Sequence, residues 1–365
     1  MIVLTGPLAS PQMLDALGLE GTAVPMTGRL YGGAKAGIVA DGWPVFCAGP
    51  EPLAAVAVDW QPALCRYAEI MDLSPIPLDG REVLGVTLAD DDACANVGAQ
   101  RDGTGDWPAE YGAAMARALL ALDPARPASA IRARLPRIGD WVAARMRAER
   151  EEQAVIGPAA EKAGGARFEI LDRSEPYAHF FAVEDVRLRH RLYSGGWSEV
   201  LERAVFVSGD AVVVLPWDPV RDRVMLIDQF RVAPALRGDR EPWLYEAVAG
   251  RIDQLEAPKD AARREAQEEA GVALGQLIPA PHHYASPGAT AEMLYLYIGI
   301  ADLPDGSEGL GGLEAEAEDI RSHLVERAEL ERMLRQGKIR NGPLLVLALW
   351  LQAEADRMRK EYTLG

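Results

Sequence analysis

The sequence predicts a mixed α/β protein of two domains, the second of which is an α/β/α sandwich around a mixed sheet. The chain has 365 residues, which is long for a single hydrophobic core. Its apolar content of 49% and charged content of 25% are ordinary for a globular protein. From Arg167 onwards, short strand-like runs alternate with stretches of helical periodicity. That order favours a sheet with helices on both faces.

The first domain is predicted to span residues 1–150, which are rich in Gly, Pro and Ala with only short strand-like runs. Its predicted strands are Met1–Leu4, Gly37–Ala40 and Glu82–Ala89, and its predicted helices are Pro11–Leu17, Tyr111–Leu122 and Ile138–Glu152. Residues 151–166 contain Gly157-Pro158 and Lys162-Ala163-Gly164-Gly165. Such a composition is typical of a linker.

The second domain is predicted to span residues 167–365. Its predicted strands are Phe168–Asp172, Phe180–His190, Glu199–Val207, Ala211–Pro216, Arg223–Phe230, Trp243–Ala249 and Leu294–Ile300. Its predicted helices are Pro258–Ala270, Arg327–Arg335 and Gly342–Lys360, with a turn at 217–222 and a Gly/Glu-rich loop at 305–318.

Charge and cysteine content restrict the location and the partners. The net charge of −17 argues against nonspecific binding to nucleic acid or to an anionic membrane surface. No secretory or transmembrane segment is visible in the sequence. Cys47, Cys65 and Cys94 lack metal-ligand spacing and are predicted to be free thiols, which fits a cytoplasmic location.

The most informative segment runs from Gly250 to Val272. Glu265, Glu268 and Glu269 crowd one short helix, and residues three and four apart share a helical face. Carboxylates placed so closely repel one another unless a cation lies between them. Oxygen ligands of this kind suit Mg2+ together with substrate phosphates. A solvated acidic helix is the alternative, and a Glu-Glu pair alone would favour it.

The full spacing resembles the Nudix box, the signature of hydrolases that cleave a nucleoside diphosphate linked to another moiety. The matching fixed positions are Gly250, Glu256, Arg264, Glu265, Glu268, Glu269 and Gly271. At residue frequencies of roughly 5–10% each, seven matches at one start have a chance probability on the order of 10^-8. Ala266 stands where the family usually has a bulkier apolar residue.

The region 167–362 also resembles one branch of that family, the ADP-ribose pyrophosphatases. The stretches that carry this resemblance are Gly209–Pro216 with Leu226–Arg231, Trp243–Gly250, Ser286–Glu292 including Pro287, and Glu314–Ile320. The resemblance implies hydrolysis of ADP-ribose to AMP and ribose 5-phosphate. Hydrolysis of another nucleoside diphosphate sugar (GDP-mannose or ADP-glucose) and a nucleotide-sugar sensor without turnover are the alternatives.

The resemblance also implies how the metal is held. Glu265 and Glu269, with the backbone carbonyl of Ala249, would hold Mg2+, for which Mn2+ is a substitute. Glu268 would be a further ligand or would orient a water. Arg264 would pair with Glu256 and brace the loop against the helix.

A separate acidic loop would complete the chemistry. Glu316 is the predicted general base and Glu318 a predicted metal ligand. The alternative is an acidic surface loop without a catalytic role.

Substrate contacts are implied in the same way. Arg203 and Arg231 would grip the phosphates and the terminal ribose, because the forked donors of arginine match those oxygens. Phe180 would stack on adenine from the partner subunit of a homodimer, and Glu292 would contact the adenosine or ribose part. The alternatives are surface salt bridges for the arginines and a core position for Phe180.

The first domain is loosely similar at Val3–Leu8 to gamma-glutamylcyclotransferase-like domains, which implies a small mixed β-barrel-like fold. Thr5 and Pro7 stand where that family has a tyrosine and a small hydroxyl residue. Glu69 is the remaining candidate for the acid/base glutamate. These departures predict a degenerate domain with a structural or regulatory role, and a bifunctional protein that also cleaves γ-glutamyl compounds is the alternative.

Overall fold

The computed structural model describes residues 1–78, 80–88, 107–151, 166–313 and 318–362. The chain divides into two compact units, Met1–Val207 and Ser208–Gly365. Within the described residues, no helix is both long enough and apolar enough to cross a membrane.

The first unit begins with two small sheets. Its strands are β1 (Ile2–Thr5), β2 (Thr22–Ala23), β3 (Thr27–Tyr31), β4 (Val45–Pro52), β5 (Ala55–Val58), β6 (Ile76–Leu78), β7 (Arg81–Leu84) and β8 (Thr87–Leu88). One sheet has the order β2-β5-β1-β7-β6 and the other β3-β4-β8. Strand β1 pairs antiparallel with β5 and parallel with β7, so the first sheet is mixed as expected.

Helices cover this sheet and close its core. They are α1 (Pro11–Ala16), α2 (Pro62–Ile70), α3 (Ala109–Leu120), α4 (Ala128–Arg132) and α5 (Leu135–Arg150). Leu64 of α2, Met115 of α3 and Ile138 of α5 belong to the same buried cluster as Ile2 and Leu4 of β1. Apolar residues at helical spacing thus bury one face of each helix against the sheet.

The first unit ends with three antiparallel strands, β9 (Phe168–Ala178), β10 (Ala182–His190) and β11 (Leu201–Val207). The pairing of β9 with β10 has an irregularity between Val183 and Asp185. Trp141 of α5 packs against Ala182 and Val207, so this sheet has a buried contact with a helix of the same unit.

The second unit is built on one large sheet. The strands of this sheet are β12 (Ala211–Asp218), β13 (Arg223–Phe230), β14 (Trp243–Glu246), β15 (Val248–Arg251), β16 (Leu277–Pro279), β17 (His283–Tyr284), β19 (Met293–Ile300), β20 (Leu310–Gly311) and β21 (Ile320–Glu326). The short strand β18 (Thr290–Ala291) belongs to the same unit but not to this sheet. The central path is β16-β19-β12-β13-β21-β20, with β12 parallel to β19 and antiparallel to β13. Its helices are α6 (Val232–Arg237), α7 (Pro258–Ala270), α8 (Arg327–Arg335) and α9 (Gly342–Tyr362).

Alternation along β12 fixes the layers of this unit. Val213 and Leu215 share a core with Leu347 of α9, whereas Val212 and Val214 share the opposite core with α7. Successive side chains of a strand point to opposite faces, so each face buries its own helices. The α/β/α sandwich with a mixed sheet predicted from the sequence is confirmed.

Several predicted elements differ from the structure. Residues Gly37–Ala40 form turns and not a strand, since Gly37 has a φ of +72° and the backbone N–H of Ile38 donates to the carbonyl of Lys35. This backbone is one that glycine adopts readily, and it overrides the strand preference of the two residues that follow. The predicted strand from Glu82 is interrupted at Gly85, whose φ is +91°.

The predicted strand Trp243–Ala249 is two strands. Strand β14 pairs with β13, and β15 pairs with β12, so the chain changes partners at the buried residue Ala247. The sequence of a strand-like segment does not show which neighbouring strand each half of it pairs with.

The prediction of free thiols is wrong for Cys47, which is disulfide-bonded. Cys65 is free and exposed, and Cys94 lies outside the described residues. Spacing along the chain detects metal-ligand patterns but not thiols that meet through the fold.

Candidate active site

The site is built where β15 passes the helix α7. Register places Gly250 beside Val212 and Ala249 beside Val213 of the central strand β12. A Cβ atom on Gly250 would lie 2.0 Å from the carboxyl carbon of Glu265. Only glycine therefore lets the helix carboxylate approach the strand backbone this closely.

Helix α7 ends sharply after its glutamates. Pro258 occupies its first turn, where its missing N–H costs nothing, and Gly271 closes it with a left-handed backbone at a φ of +65°. The predicted bounds of this helix, Pro258–Ala270, agree with the observed ones.

Glu269 is the most buried of the box carboxylates, with 2% of its surface exposed. Its Oε2 accepts a 2.9 Å hydrogen bond from the backbone N–H of Ala249. Burial raises the pKa of Glu269 to about 8 against that hydrogen bond, and the charges of Glu265 and Glu318 raise it further. The ionised form of Glu269 is therefore disfavoured in this environment, and a nearby cation would stabilise it.

The pKa of Glu265, like that of Glu269, is raised. Burial raises its pKa to about 7, and repulsion from Glu268 and Glu318 adds to the effect, although Arg264 opposes it. Nη1 of Arg264 donates to Oε1 of Glu265 at 2.7 Å and to Oε2 of Glu268 at 3.1 Å. One guanidinium thus serves both of these carboxylates.

Arg264 also holds the loop that precedes the helix. Its Nε and Nη2 donate to the two carboxylate oxygens of Glu256 at 3.0 and 2.9 Å, and Nη2 also donates to the carbonyl of Arg251. Glu256 in turn accepts from the backbone N–H of Asp253. The structure therefore brings Arg264 and Glu256 together as a brace between the loop and α7.

Arg231, a predicted substrate residue, lies near the box. It donates from Nε to Glu246 Oε1 at 3.0 Å and from Nη2 to Oε2 at 2.6 Å. Burial opposes its charge, but Glu246, Glu269 and Glu318 outweigh burial and hold the pKa of Arg231 above its usual value. Its guanidinium is therefore fixed within electrostatic reach of the box carboxylates.

Two glycines that precede the acidic loop, Gly311 and Gly312, contact the box helix. The backbone N–H of Gly312 donates to the carbonyl of Glu268, and a Cβ on Gly311 would lie 2.1 Å from the carbonyl oxygen of Glu269. Glu318 accepts from the backbone N–H of Leu313 at 3.2 Å, and its charge acts on both Glu265 and Glu269. Glu316, the predicted base, lies outside the described residues.

Glu292 is half-buried in the same unit. It accepts a 3.2 Å hydrogen bond from the hydroxyl of Ser208. Burial raises its pKa, while Ser208 and Arg251 oppose that shift. A carboxyl group in this position accepts hydrogen bonds from hydroxyl groups.

The other predicted residues lie in the first unit. Phe180 follows β9, is 56% exposed, and has the guanidinium of Arg137 stacked 4.4 Å from its ring centroid. Arg203 lies on β11 and donates to the carbonyl of Glu202. Glu69 lies on α2, where its side chain is exposed and paired with Arg66.

The donor set of the box fits a hard cation in its chemistry. It consists of carboxylate oxygens on one helix face, and burial, with the charges of neighbouring carboxylates, raises the pKa of Glu265 and Glu269. As their side chains stand, the described carboxylates, imidazoles and thiols include no group of three arranged to hold a metal ion. Arg264 supplies positive charge to two of the box carboxylates in this arrangement.

Known proteins similar to this chain identify the family to which the second unit and its box helix belong. Residues 207–345 match the family model described as NUDIX domain. The chain is 41% identical over 194 residues to a curated protein of Escherichia coli strain K12, covering 53% of this chain and 92% of that protein. The chain therefore belongs to the Nudix family.

Within that family, the relatives carry specific names. The Escherichia coli relative is named ADP-ribose pyrophosphatase. A relative of the same name from Haemophilus influenzae is 34% identical over 196 residues, covering 53% of this chain and 90% of its own length. A GDP-mannose pyrophosphatase from an Enterobacter species is 33% identical over 151 residues, covering 41% and 78%.

A solved structure described as an ADP compounds hydrolase matches with 22% identity and a TM-score of 0.40. It covers 53% of this chain and 98% of that one. That TM-score is too low to support an argument about this molecule.

Two features of the site were not found from the sequence. Glu246 anchors Arg231 from a buried position on β14, and the glycines Gly311 and Gly312 contact the backbone of Glu268 and Glu269 at the end of α7. Glu246 lies 15 residues from its partner, so the pairing depends on the alignment of β13 with β14. A lone acidic residue in an apolar strand was the only available signal.

Proposed function

We propose that the protein is a metal-dependent hydrolase that cleaves the diphosphate of ADP-ribose to AMP and ribose 5-phosphate. The observation that carries this proposal is the box itself, in which Glu265 lies against Gly250, Glu269 lies against Ala249, and burial raises the pKa of both carboxyl groups. The names of the relatives at 41% and 34% identity support the choice of ADP-ribose.

Glu265, Glu269 and Glu318, together with the backbone of Ala249, are the proposed ligands of Mg2+ or of Mn2+ in its place. Glu268 is either a further ligand or the residue that orients a water. When bound, the metal would offset the charge of the diphosphate and make its phosphorus more electrophilic. Release of Glu265 and Glu268 from Arg264 Nη1 would free their oxygens for this role.

The remaining groups position the substrate and move the proton. Arg231, fixed by Glu246, would bind phosphate oxygens through the guanidinium N–H groups that do not donate to Glu246. Arg203, Phe180 and Glu292 are the proposed contacts to the phosphates, adenine and ribose. Glu316 would take the proton from the attacking water.

The first experiment measures products after the pure protein is incubated with ADP-ribose and Mg2+, with GDP-mannose and ADP-glucose in parallel. AMP and ribose 5-phosphate should form fastest from ADP-ribose, and a chelator should abolish the reaction. Faster cleavage of GDP-mannose would support the alternative suggested by the Enterobacter relative. A folded protein that binds ADP-ribose without cleaving any substrate would identify a sensor.

The base assignment has its own test. Glu316→Gln should lower turnover by roughly 10^2-fold or more and leave metal affinity unchanged, because only proton transfer is lost. Turnover with ADP-ribose and titration with Mn2+ would be measured on the same preparation. Loss of metal binding would make Glu316 a ligand instead.

Three further proposals concern the whole protein. Residues 1–150 would be a cyclotransferase-like domain without activity, joined by a linker at 151–166 to the Nudix domain at 167–365. The protein would be a cytoplasmic homodimer, which light scattering can test, and a monomer would remove the role given to Phe180. Release of 5-oxoproline from a γ-glutamyl amine, abolished by Glu69→Gln, would instead give the first domain an activity.

A further inference from the structure

A cavity of about 800 Å3 is lined wholly by residues of the first unit, whereas the box belongs to the second. Its walls are the C-terminal part of α3, one side of α5, and residues 172–176 of β9 with Glu184 of β10. The match to the Nudix family model begins at residue 207, so the elements that build this cavity precede it. The proposed hydrolysis makes no use of it.

A buried carboxylate oxygen in the cavity wall lacks a partner. The side chain of Glu175 is 7% exposed, and Arg126 and Arg134 both donate to its Oε2. Its Oε1 is buried and has no hydrogen-bond partner among the described residues. Buried acceptors in folded proteins are nearly always satisfied, so this atom indicates a missing N–H or O–H donor.

Two arginines of the wall share one carboxylate. Arg145 donates to Oε1 of Glu184 at 2.9 Å, and Nη1 of Arg173 lies 3.8 Å from Oε2 of the same residue. Burial and the nearby charge of Arg173 lower the pKa of Arg145, while Glu184 opposes that shift. Both guanidiniums remain partly exposed, so a small carboxylate could bind their unused donors.

The two unsatisfied features are close together. Arg173 and Glu175 are two residues apart on β9, or ~7 Å at the rise of a strand. The irregular pairing opposite Glu184 lies at the same place, and such irregularities often redirect side chains at binding sites. A ligand that meets both needs must carry an N–H or O–H donor and an anionic group within a few ångströms of each other.

Charge and surface narrow the ligand further. The lining contains Arg126, Arg145 and Arg173 against four acidic residues (Asp123, Asp172, Glu175 and Glu184), which disfavours a ligand of high negative charge. Leu122, Ile138 and Trp141 give the cavity an apolar wall. A neutral zwitterion with an apolar side chain satisfies these conditions.

We propose that this cavity binds a free α-amino acid with an apolar side chain, its ammonium group on Glu175 and its carboxylate on Arg173 and Arg145. The apolar side chain would pack on Leu122, Ile138 and Trp141. Because α5 and β9 both line the cavity, the bound amino acid would hold these two elements together.

The test is calorimetric titration of the full chain with L-leucine and L-phenylalanine. At least one should bind with a Kd below about 10 mM. N-acetyl-L-leucine lacks the ammonium group and L-leucinamide lacks the carboxylate, so each should bind about tenfold more weakly or not at all. Binding of AMP at this cavity, or no binding of either amino acid, would overturn the proposal.

Variants locate the binding. Glu175→Gln and Arg173→Gln should each weaken it about tenfold or more. Arg173→Gln is the safer variant, because Glu175 also holds Arg126 and Arg134, and melting curves check the fold of both. Arg189→Gln is the matched control, since Arg189 is on β10 but pairs with Glu169 and stacks on Trp197. Equal affinity in all three variants would place the ligand elsewhere.

Discussion

The box of the second unit and the cavity of the first unit use the same two residue types with opposite results. In the box, Arg264 donates to Glu256, Glu265 and Glu268, and Glu269 accepts from the backbone N–H of Ala249. In the cavity, two pairs of arginines each share one glutamate. In the box one arginine serves three carboxylates, whereas in the cavity Glu175 and Glu184 are each paired with two arginines, and Oε1 of Glu175 still has no donor among the described residues.

This difference shows that the ratio of partners, and not the presence of ion pairs, indicates what a site can bind. An excess of buried carboxylate oxygens leaves room for a cation, and the raised pKa values of Glu265 and Glu269 express that excess. An excess of guanidinium donors leaves room for an anionic group. Substitutions of Glu269, Gly250 and Glu246, and a change of pH, alter the balance between carboxylates and positive charge in and beside the box.

The largest effect is expected for Glu269→Gln. Removing the most buried carboxylate should lower turnover of ADP-ribose by roughly 10^3-fold, because the metal loses a ligand, and the fold should persist because Gln keeps the shape. Turnover and circular dichroism would be compared with Glu361→Gln, an exposed carboxylate of α9. Unchanged turnover would remove Glu269 from the metal site.

Gly250→Ala should lower turnover by about tenfold or more and raise the Mg2+ concentration that the reaction requires. The added Cβ would occupy the place of the Glu265 carboxyl group, which must move away from β15. Gly342→Ala is the control, since a Cβ there meets nothing within 4 Å. An identical Mg2+ dependence in both variants would contradict the close approach of Glu265 to the strand.

With the metal chelated, the free energy of unfolding should fall by roughly 1–3 kcal/mol as the pH rises from about 4.5 to about 8. The pKa of Glu269 is raised from 4.5 to about 8, so the unfolded chain loses this proton first and folding becomes less favourable until the folded carboxyl group ionises. Urea denaturation in EDTA at pH 5 and pH 8 measures this change. Glu269→Gln should reduce it, and parallel curves for the two proteins would refute the linkage.

The smallest effect is expected for Glu246→Gln. Arg231 would lose its charged anchor, so KM for ADP-ribose should rise about three- to tenfold with kcat little changed. Steady-state kinetics beside Glu241→Gln, an exposed residue of the preceding loop, would measure it. A large fall in kcat at constant KM would instead place Glu246 in the chemical step.

The sequence predicted best what is local along the chain. The box helix was predicted with its correct bounds because Pro258 marks its first turn and Gly271 directly follows its last residue. The sandwich followed from the strand-like runs and helical stretches beyond Arg167, among them the predicted helices Arg327–Arg335 and Gly342–Lys360. Each of these depends on neighbours a few residues away.

Features that depend on distant partners were not predicted. The pair of Arg231 and Glu246 requires β13 and β14 to align, and the cavity requires α5 to meet β9 and β10, as Arg145 and Glu184 do across 39 residues. The bond at Cys47 and the turn at Gly37 are of the same kind, since tertiary structure and one glycine's backbone decide them. Local preference contains no information about which segments meet.

The change of partner at Ala247 has a mechanical consequence. Glu246, immediately before Ala247, lies on β14 beside β13, and its carboxylate accepts from the phosphate-binding candidate Arg231. Ala249, two residues after Ala247, lies on β15 beside β12, and its backbone N–H donates to Glu269. Strands β12 and β13 pair with each other directly only near Trp217 and Asp218. The short backbone segment from Glu246 to Ala249 therefore connects the part of the site that would bind a substrate to the part that would hold the metal.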